Sequence, residues 1–507
     1  MDLCGGIRSR RVALKAIVTQ KTGGGGTEMS YGETTDEQPL SPAARIFREP
    51  NFNCYIIAIM GCKTKIDPDV IKAGLETTLL KHPRFSSIQQ VASEGKSGEM
   101  NWVRTKVDLD NHVIVPELDP NMESLDQFLE DYVSDLTRTA IDMSKPLWEL
   151  HLLNVKTSEA EAVGVFRIHH SLGDGMSLIS LLLACTRKSS DGGALPTIPV
   201  QKRAATGTSG SWFLWVLSSV LAVLHLLWNS TVDIFKFLAT SVFIKDTDTP
   251  LKGGRGVGFT RKRFVHRTVS LDDIKLVKNE LKMTINDVVL GVTQGGLSRY
   301  LNRRYGESKM DEEATRKRNN LPKHIRLRAA LLVNIRPSTG IQALADMMDN
   351  KSEAKWGNWL GYVLLPFKIA LHDDPLDYVR EAKATIDRKK ISLESMFTFV
   401  CATIIVKSIG QKAAALLCHR ILSNTTMSYS NVVGPVEEIS FCGHPIVYLA
   451  PSVYGHPHAL TIHFQSYMDK MTIVLAVDQD VIPDPQRLLG DLEESLKLIK
   501  NVVMSRR

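Results

Sequence analysis

The 507-residue sequence holds only seven cysteines, at positions 4, 54, 62, 185, 401, 418 and 442, and no C-x-x-C pair. An odd, scattered set of thiols argues against a disulfide framework, and the missing pair spacing argues against a zinc site. The chain reads as a reduced, cytosol-facing protein. Residues 1–27 carry Arg8, Arg10, Arg11, Lys15 and Lys21 but lack an apolar segment long enough for export. Their sparse acids would suit a transit peptide, although a solvated tail is the preferred reading. No G-x-S-x-G elbow, P-loop or solenoid-length repeat appears. The Gly-rich run 253–258 follows no clear strand and reads as a connector rather than a dinucleotide loop. Charge of either sign is modest: 62 basic against 55 acidic residues, a net +7. That balance suits phosphates or an anionic membrane surface without demanding either, and nucleic acid is not expected. With 43% hydrophobic and 23% charged residues, the chain can build a large core, and its length suggests two or more domains.

What the sequence does have is Ile168-His169-His170-Ser171-Leu172-Gly173-Asp174-Gly175 after the apolar stretch 163–168. On a strand, side chains alternate, so Phe166, Ile168 and His170 share one face and Val165, Arg167 and His169 the other. At most one of the two histidines can serve a given pocket, and His170 lies on the more apolar side. Gly173, Asp174 and Gly175 form a turn, and 176–185 reads as a buried helix. Asp174 stands where a carboxylate can cap that helix, so it reads as a shaper of the loop rather than a proton carrier. The plain alternative is a core histidine pair beside an ordinary strand–turn–helix. A neutral imidazole with a free pKa near 6.5 suits a general base acting on a hydroxyl. No metal-ligand spacing is recognisable.

Four segments organise the chain. Residues 1–39 read as a basic, Gly-rich tail, 40–190 as a first domain, 191–252 as a linker, and 253–507 as a second domain. Helical pattern covers 71–80 and ends at His82-Pro83. Strands at 148–155 and 163–170 form an antiparallel hairpin. Strands at 446–449, 460–467 and 471–478 precede a terminal helix at 487–503. Thr284 with Asp287 is a capping-box variant opening a helix to about 301. The basic run 316–328 reads as a solvated loop, with CoA phosphates or anionic lipid as the alternative. The most apolar window is 212–228, seventeen residues without a formal charge. As a helix it would span about 26 Å, just short of the roughly 30 Å hydrocarbon core. Trp212, Trp215 and Trp228 suit an interfacial belt. A single span, a re-entrant or surface-lying amphipathic hairpin, and a buried crossover helix all remain open, with membrane contact favoured.

The run from His169 to Gly175 resembles the HHxxxDG motif of CoA-dependent acyltransferases of the chloramphenicol acetyltransferase-like fold. Pro146-Leu147-Trp148-Glu149, Asn286-Asp287, Asn334-Ile335-Arg336-Pro337, Gly357-Asn358 and Ser430 to Pro435 resemble, in order, further blocks of the plant wax ester synthase/diacylglycerol acyltransferases. The resemblance covers roughly 40–500. It implies two mixed α/β domains with an active-site tunnel between them. His170 would be the general base, helped by His169 and Gly175. Asp174 would hold the loop, with Arg336 as its partner, and Asn286 and Asp287 would contribute from the second domain. The substrates implied are acyl-CoA, a long-chain fatty alcohol and diacylglycerol, with no metal or resident cofactor.

If both domains build one site, a span at 212–228 would part them across the bilayer. The expectation is therefore a re-entrant or surface-lying segment in contact with membrane lipid, with both domains in the cytosol. The endoplasmic reticulum is the expected membrane, with the plasma membrane as a second address. The competing readings are an acyltransferase for another hydroxyl or amine, and a lipid-binding protein of the same fold without turnover.

Overall fold

The computed structural model describes residues 38–91, 100–118, 124–199, 212–307, 319–335, 341–348 and 356–506. Two mixed sheets face each other. The first has seven strands in the spatial order Val113–Ile114, Trp148–Leu153, Ala162–His169, Tyr55–Cys62, His444–Tyr454, Ile439–Phe441 and Thr186–Lys188. The second has six, in the order Leu360–Phe367, Leu327–Asn334, Met427–Val432, Leu460–Tyr467, Lys470–Asp478 and Lys262–Ser270. The hairpin at 148–169 is antiparallel, with Trp148 opposite Ile168. Strand Tyr55–Cys62 then pairs with the other edge of the histidine strand, Tyr55 opposite His169. Both neighbours bury that strand on either side, which fixes its register and hence which histidine faces the cavity.

Local sequence explains the helices around the first sheet. Asp67 caps Pro68–Thr77 by accepting from the Asp69 amide at 3.0 Å, with Pro68 pre-set at the first helical position. That helix starts and ends about three residues earlier than its apolar period suggests, because short 3₁₀ turns at Leu79–Lys81 and Pro83–Ser86 follow. Asp174 caps Gly175–Cys185, accepting from the Ser177 amide at 2.8 Å. Such a cap stabilises a helix by about 1 kcal/mol. In the second unit, Thr284 and Asp287 exchange side-chain-to-amide bonds of 2.8 and 3.2 Å at the start of Ile285–Glu307. Pro485 opens the terminal helix Pro485–Ser505.

One feature corrects the expected segmentation. Residues 439–454 fall in the stretch assigned to the second domain, yet Ile439–Phe441 and His444–Tyr454 complete the first sheet. Main-chain pairing across the Tyr55–Cys62 edge decides this, and no local pattern encodes it. Thr186–Lys188, at the end of the first segment, is the edge strand of the same sheet, paired with Ile439–Phe441.

The apolar window belongs to one continuous helix, Trp212–Val242, and not to a hairpin. At about 1.5 Å per residue it runs about 46 Å. Within it, Trp215–Val242 is long and apolar enough to cross a membrane, with only 6% of its most apolar window buried. Its two halves differ. Trp212, Trp215, Leu224 and Trp228 are exposed. The later half is docked: buried Asp233 pairs with Lys389 at 3.1 Å and with Arg388, and the Leu393 amide donates to Ser230 Oγ at 3.0 Å. Beyond the helix, Asp246 accepts from the Arg328 side chain at 2.6 Å and from the Thr426 hydroxyl at 2.7 Å, tying the linker to the second sheet.

Candidate active site

The facing sheets enclose a cavity of about 230 Å³. From the first sheet it is lined by Cys54, Ile56, Ala58 and Met60, the alternate residues of one strand, and by Phe166, Ile168 and His170 of the next. Helix Gly175–Cys185 closes the apolar side with Leu178, Ile179 and Leu182. The opposite wall carries the polar groups Asn334, Ser428, Ser430, Asn431, His463 and Gln465, set among apolar Ala330, Leu332 and Leu360. Long apolar reach on one side and hydrogen-bonding groups on the other is the arrangement a site for an aliphatic chain with one reactive polar end requires.

The two histidines diverge as alternation predicts. His169 is wholly buried away from the cavity. The Ser171 amide donates to its Nδ1 at 3.3 Å, which leaves the proton on Nε2, 2.9 Å from the acceptor Asn53 Oδ1. Ser171 Oγ lies 2.6 Å from the same Nδ1 and accepts from Gln89 at 2.7 Å. Burial, then the neighbouring His170, lower the His169 pKa to about 3. This ring is a fixed internal brace. His170 lines the cavity, with its ring stacked on Phe47 at 4.3 Å between centroids. Its Nδ1 has no side-chain partner among the described residues. Burial lowers its pKa, while its own main-chain carbonyl and Asp174 act in the opposite direction. The imidazole is therefore neutral at pH 7 and able to accept a proton.

The loop that carries His170 is clamped from the second unit. Asn358 Nδ2 donates to the carbonyls of His170 and Ser171 at 2.9 and 3.2 Å. The Trp356 indole donates to the Leu172 carbonyl at 2.6 Å and packs on His82 at 4.2 Å. Leu147, in the Pro146–Glu149 block, accepts from the His169 amide at 2.9 Å. Gly173 cannot carry a side chain here, since a Cβ would lie 2.9 Å from the Trp356 ring. Gly175 sits in the cavity lining at the helix start. Asp174 is fully buried; one oxygen caps the helix and the other has no partner among the described residues. Arg336, the expected partner, lies outside those residues.

Asn286 and Asp287 separate in role. Asp287 is buried in its capping box and does not line the cavity. Asn286 accepts from Asn431 Nδ2, and Asn431 lines the cavity, so Asn286 reaches the site through one intermediary.

Sequence reasoning missed His456 and His463. Both line the cavity, and both are lowered by burial first, with the His170 charge as a further cause; His463 falls to about 4. A signal existed. Along Leu460–Tyr467, Leu460, Ile462 and Phe464 are core, while Thr461, His463 and Gln465 alternate as a polar face. Polar residues on a strand this deeply buried indicate a polar cavity. Among the described residues, no group of three or more His, Cys, Asp or Glu could hold a metal ion.

Two facing α/β units that share a cavity, with HHxxxDG at its edge, define a two-domain CoA-dependent acyltransferase fold. Solved structures agree on that fold. The wax ester synthase/diacylglycerol acyltransferase from Marinobacter aquaeolei VT8 matches with TM-score 0.56 and 16% identity, over 92% of this chain and 100% of that one. A trichothecene 15-O-acetyltransferase from Fusarium sporotrichioides matches with TM-score 0.55 and 13% identity, over 91% and 95%. Residues 67–289 match the wax ester synthase/diacylglycerol acyltransferase catalytic domain, and 356–500 match the WS/DGAT C-terminal domain. Wax ester synthase/diacylglycerol acyltransferases 5 and 6 of Arabidopsis thaliana are each 56% identical, over 93% and 94% of this chain and 95% of each relative. The chain belongs to the wax ester synthase/diacylglycerol acyltransferase family and is an acyltransferase.

Proposed function

We propose that this enzyme transfers a fatty acyl group from acyl-CoA to a long-chain alcohol, forming a wax ester, with diacylglycerol as a second acceptor. The carrying observation is the position of His170, a buried neutral base where an apolar wall meets a polar one. In this reading His170 takes the proton of the acceptor hydroxyl as its oxygen attacks the thioester carbonyl. Polar groups of the second sheet stabilise the tetrahedral oxyanion. The intermediate collapses, the carbon–sulfur bond breaks, and the thiolate of CoA takes the proton back from the imidazolium. The step as written balances without a metal, a covalent enzyme intermediate or a resident cofactor. His169 and Asp174 set the loop, Gly175 keeps its start open, and Asn286 and Asp287 order the second wall.

The same reading puts the enzyme on a membrane surface, with the endoplasmic reticulum as the membrane and both units in the cytosol. Exposed Trp212, Trp215 and Trp228 support contact with lipid. The shared cavity supports keeping both units on one side. Six described cysteines, none in a disulfide, suit a reducing compartment. The test is ester formation by membranes carrying the protein, supplied with labelled palmitoyl-CoA and either hexadecanol or diacylglycerol. His170-dependent product is expected, greater with hexadecanol. Absence of product with both acceptors would refute the proposal.

A further inference from the structure

A second, smaller void lies outside the reaction cavity. It sits where the docked half of helix Trp212–Val242 meets helices Glu394–Ser408 and Gln411–Ser423 over strand Leu360–Phe367. Its volume is about 30 Å³. It carries no formal charge: its lining is aliphatic and aromatic apart from the Thr398 and Tyr362 hydroxyls and the Cys401 and Cys418 thiols. Thr398 is already engaged, its hydroxyl bonded to the main chain of Tyr362. Such a passage would accept a hydrocarbon chain and reject the phosphates of CoA.

Two residues line both spaces, Tyr362 and Leu422. The wall between them is thin. Burial raises the Tyr362 pKa well above its usual value, with Cys418 on the outer side and Cys54 on the His170 side each adding to the shift. Cys418 also adds to the rise that burial imposes on the Cys54 thiol. From Cys54 the path continues along Phe52 and Phe47 to the His170 ring.

The outer surface of the same helices is apolar and exposed. Met396, Val400 and Ile404 recur every four residues on helix Glu394–Ser408, forming one stripe. Trp359 and Leu416 extend that surface. Gly361 lets this helix approach its strand, since a Cβ there would lie 2.1 Å from the Ser395 carbonyl oxygen. The approach pins the start of the helix, while its far end joins the next helix through Gly410, at φ +108° with open space around it.

We infer that the fatty acceptor enters the His170 cavity directly from the bilayer, through the void between these helices, with Tyr362 and Leu422 as the barrier. The inference rests on the acyltransfer reading above. At about 30 Å³ the void holds little more than a water. Entry therefore requires the Tyr362 and Leu422 side chains to swing aside and the two helices to part toward Gly410. Acyl-CoA, whose head group is highly charged, enters the cavity by another mouth.

Ala402→Phe and Leu417→Trp fill the void from facing helices without touching the reaction cavity. Full-length enzyme would be assayed with palmitoyl-CoA and hexadecanol presented in phosphatidylcholine vesicles. The expected result for both variants is a rise in the hexadecanol KM on the order of fivefold, with the palmitoyl-CoA KM within about twofold of wild type. A loss of packing alone would move both constants or kcat together, and that outcome overturns the inference, as does no change in either variant. A rise confined to palmitoyl-CoA would assign the passage to the acyl donor and equally overturn it. Wild-type enzyme inactive on both hexadecanol and diacylglycerol would instead refute the function itself. Should one variant fail to fold, the other carries the test.

Discussion

The two walls of the reaction cavity differ in kind. The first sheet presents Cys54, Ile56, Ala58 and Met60 in a row, a surface that gives an aliphatic chain no polar contact. The second presents Ser428, Ser430, Asn431, His463 and Gln465. The row from 54 to 60 covers about 20 Å at roughly 3.3 Å per residue, enough to accommodate a long fatty chain. His170 stands at one end of that row. On the proposed reading, length is read on one wall and charge development is met at the other. Site chemistry and substrate length should respond to different substitutions.

The largest break in that comparison is removal of the base. His170→Ala should lower kcat by about 10²–10⁴-fold with little change in substrate KM, measured by ester formation. Loss below tenfold would remove His170 from the role of base. Next comes the clamp. Asn358→Ala deletes two bonds to the histidine loop and should cost about 1–3 kcal/mol of stability, with a loss of kcat on the order of tenfold. Thermal melting alongside the rate checks both; unchanged values would mean the loop holds itself.

A sharper contrast comes from one substitution on each wall. Ala58→Phe shortens the apolar row and should shift preference toward shorter acyl or alcohol chains by a few-fold in kcat/KM. Ser430→Ala should lower kcat by a few-fold at every chain length. A chain-length profile for each variant decides, and identical profiles would show that the walls do not divide the work.

A last contrast is with pH. His169 and His458 are held to about 3 and His463 to about 4, against 6.5 for a free imidazole, in each case chiefly by burial. A histidine kept neutral when folded contributes stability that is full above the unfolded value. Below pH 6.5 the unfolded chain gains protons that the folded chain refuses. Stability therefore falls from pH 6.5 down to about 4 for His463 and about 3 for His169 and His458, by up to about 1.4 kcal/mol per pH unit for each group. Tm measured from pH 7.5 to 5 should decline, and less steeply in His463→Gln. A flat profile would contradict the buried neutral state. His170 is lowered too, so the acid limb of kcat should lie below pH 6.5.

The histidine loop was legible because its information is local. Alternation alone separated His169 from His170, and a carboxylate ahead of Gly175 identified the cap. The capping box of Thr284 and Asp287 was legible for the same reason and accounts for Asp287 without a catalytic role. His456 and His463 were not legible as site residues. His463 reaches the cavity only once its strand folds into the facing sheet, and His456 only once His444–Tyr454 joins the first sheet. Asn358 was visible as part of a motif, but its bonds to the carbonyls of His170 and Ser171 were not.

Sequence by itself determined the alternation on the histidine strand, the capped helix starts at Gly175 and Ile285, and a long apolar stretch with tryptophans near its ends. These follow from periodicity and from side-chain groups that satisfy nearby main-chain donors. The tertiary structure alone decided that His444–Tyr454 completes the first sheet, that the apolar window extends into a docked helix held by Asp233, and that two unlike walls meet at His170. Pairing and packing between distant segments depend on three-dimensional complementarity, which no local pattern carries.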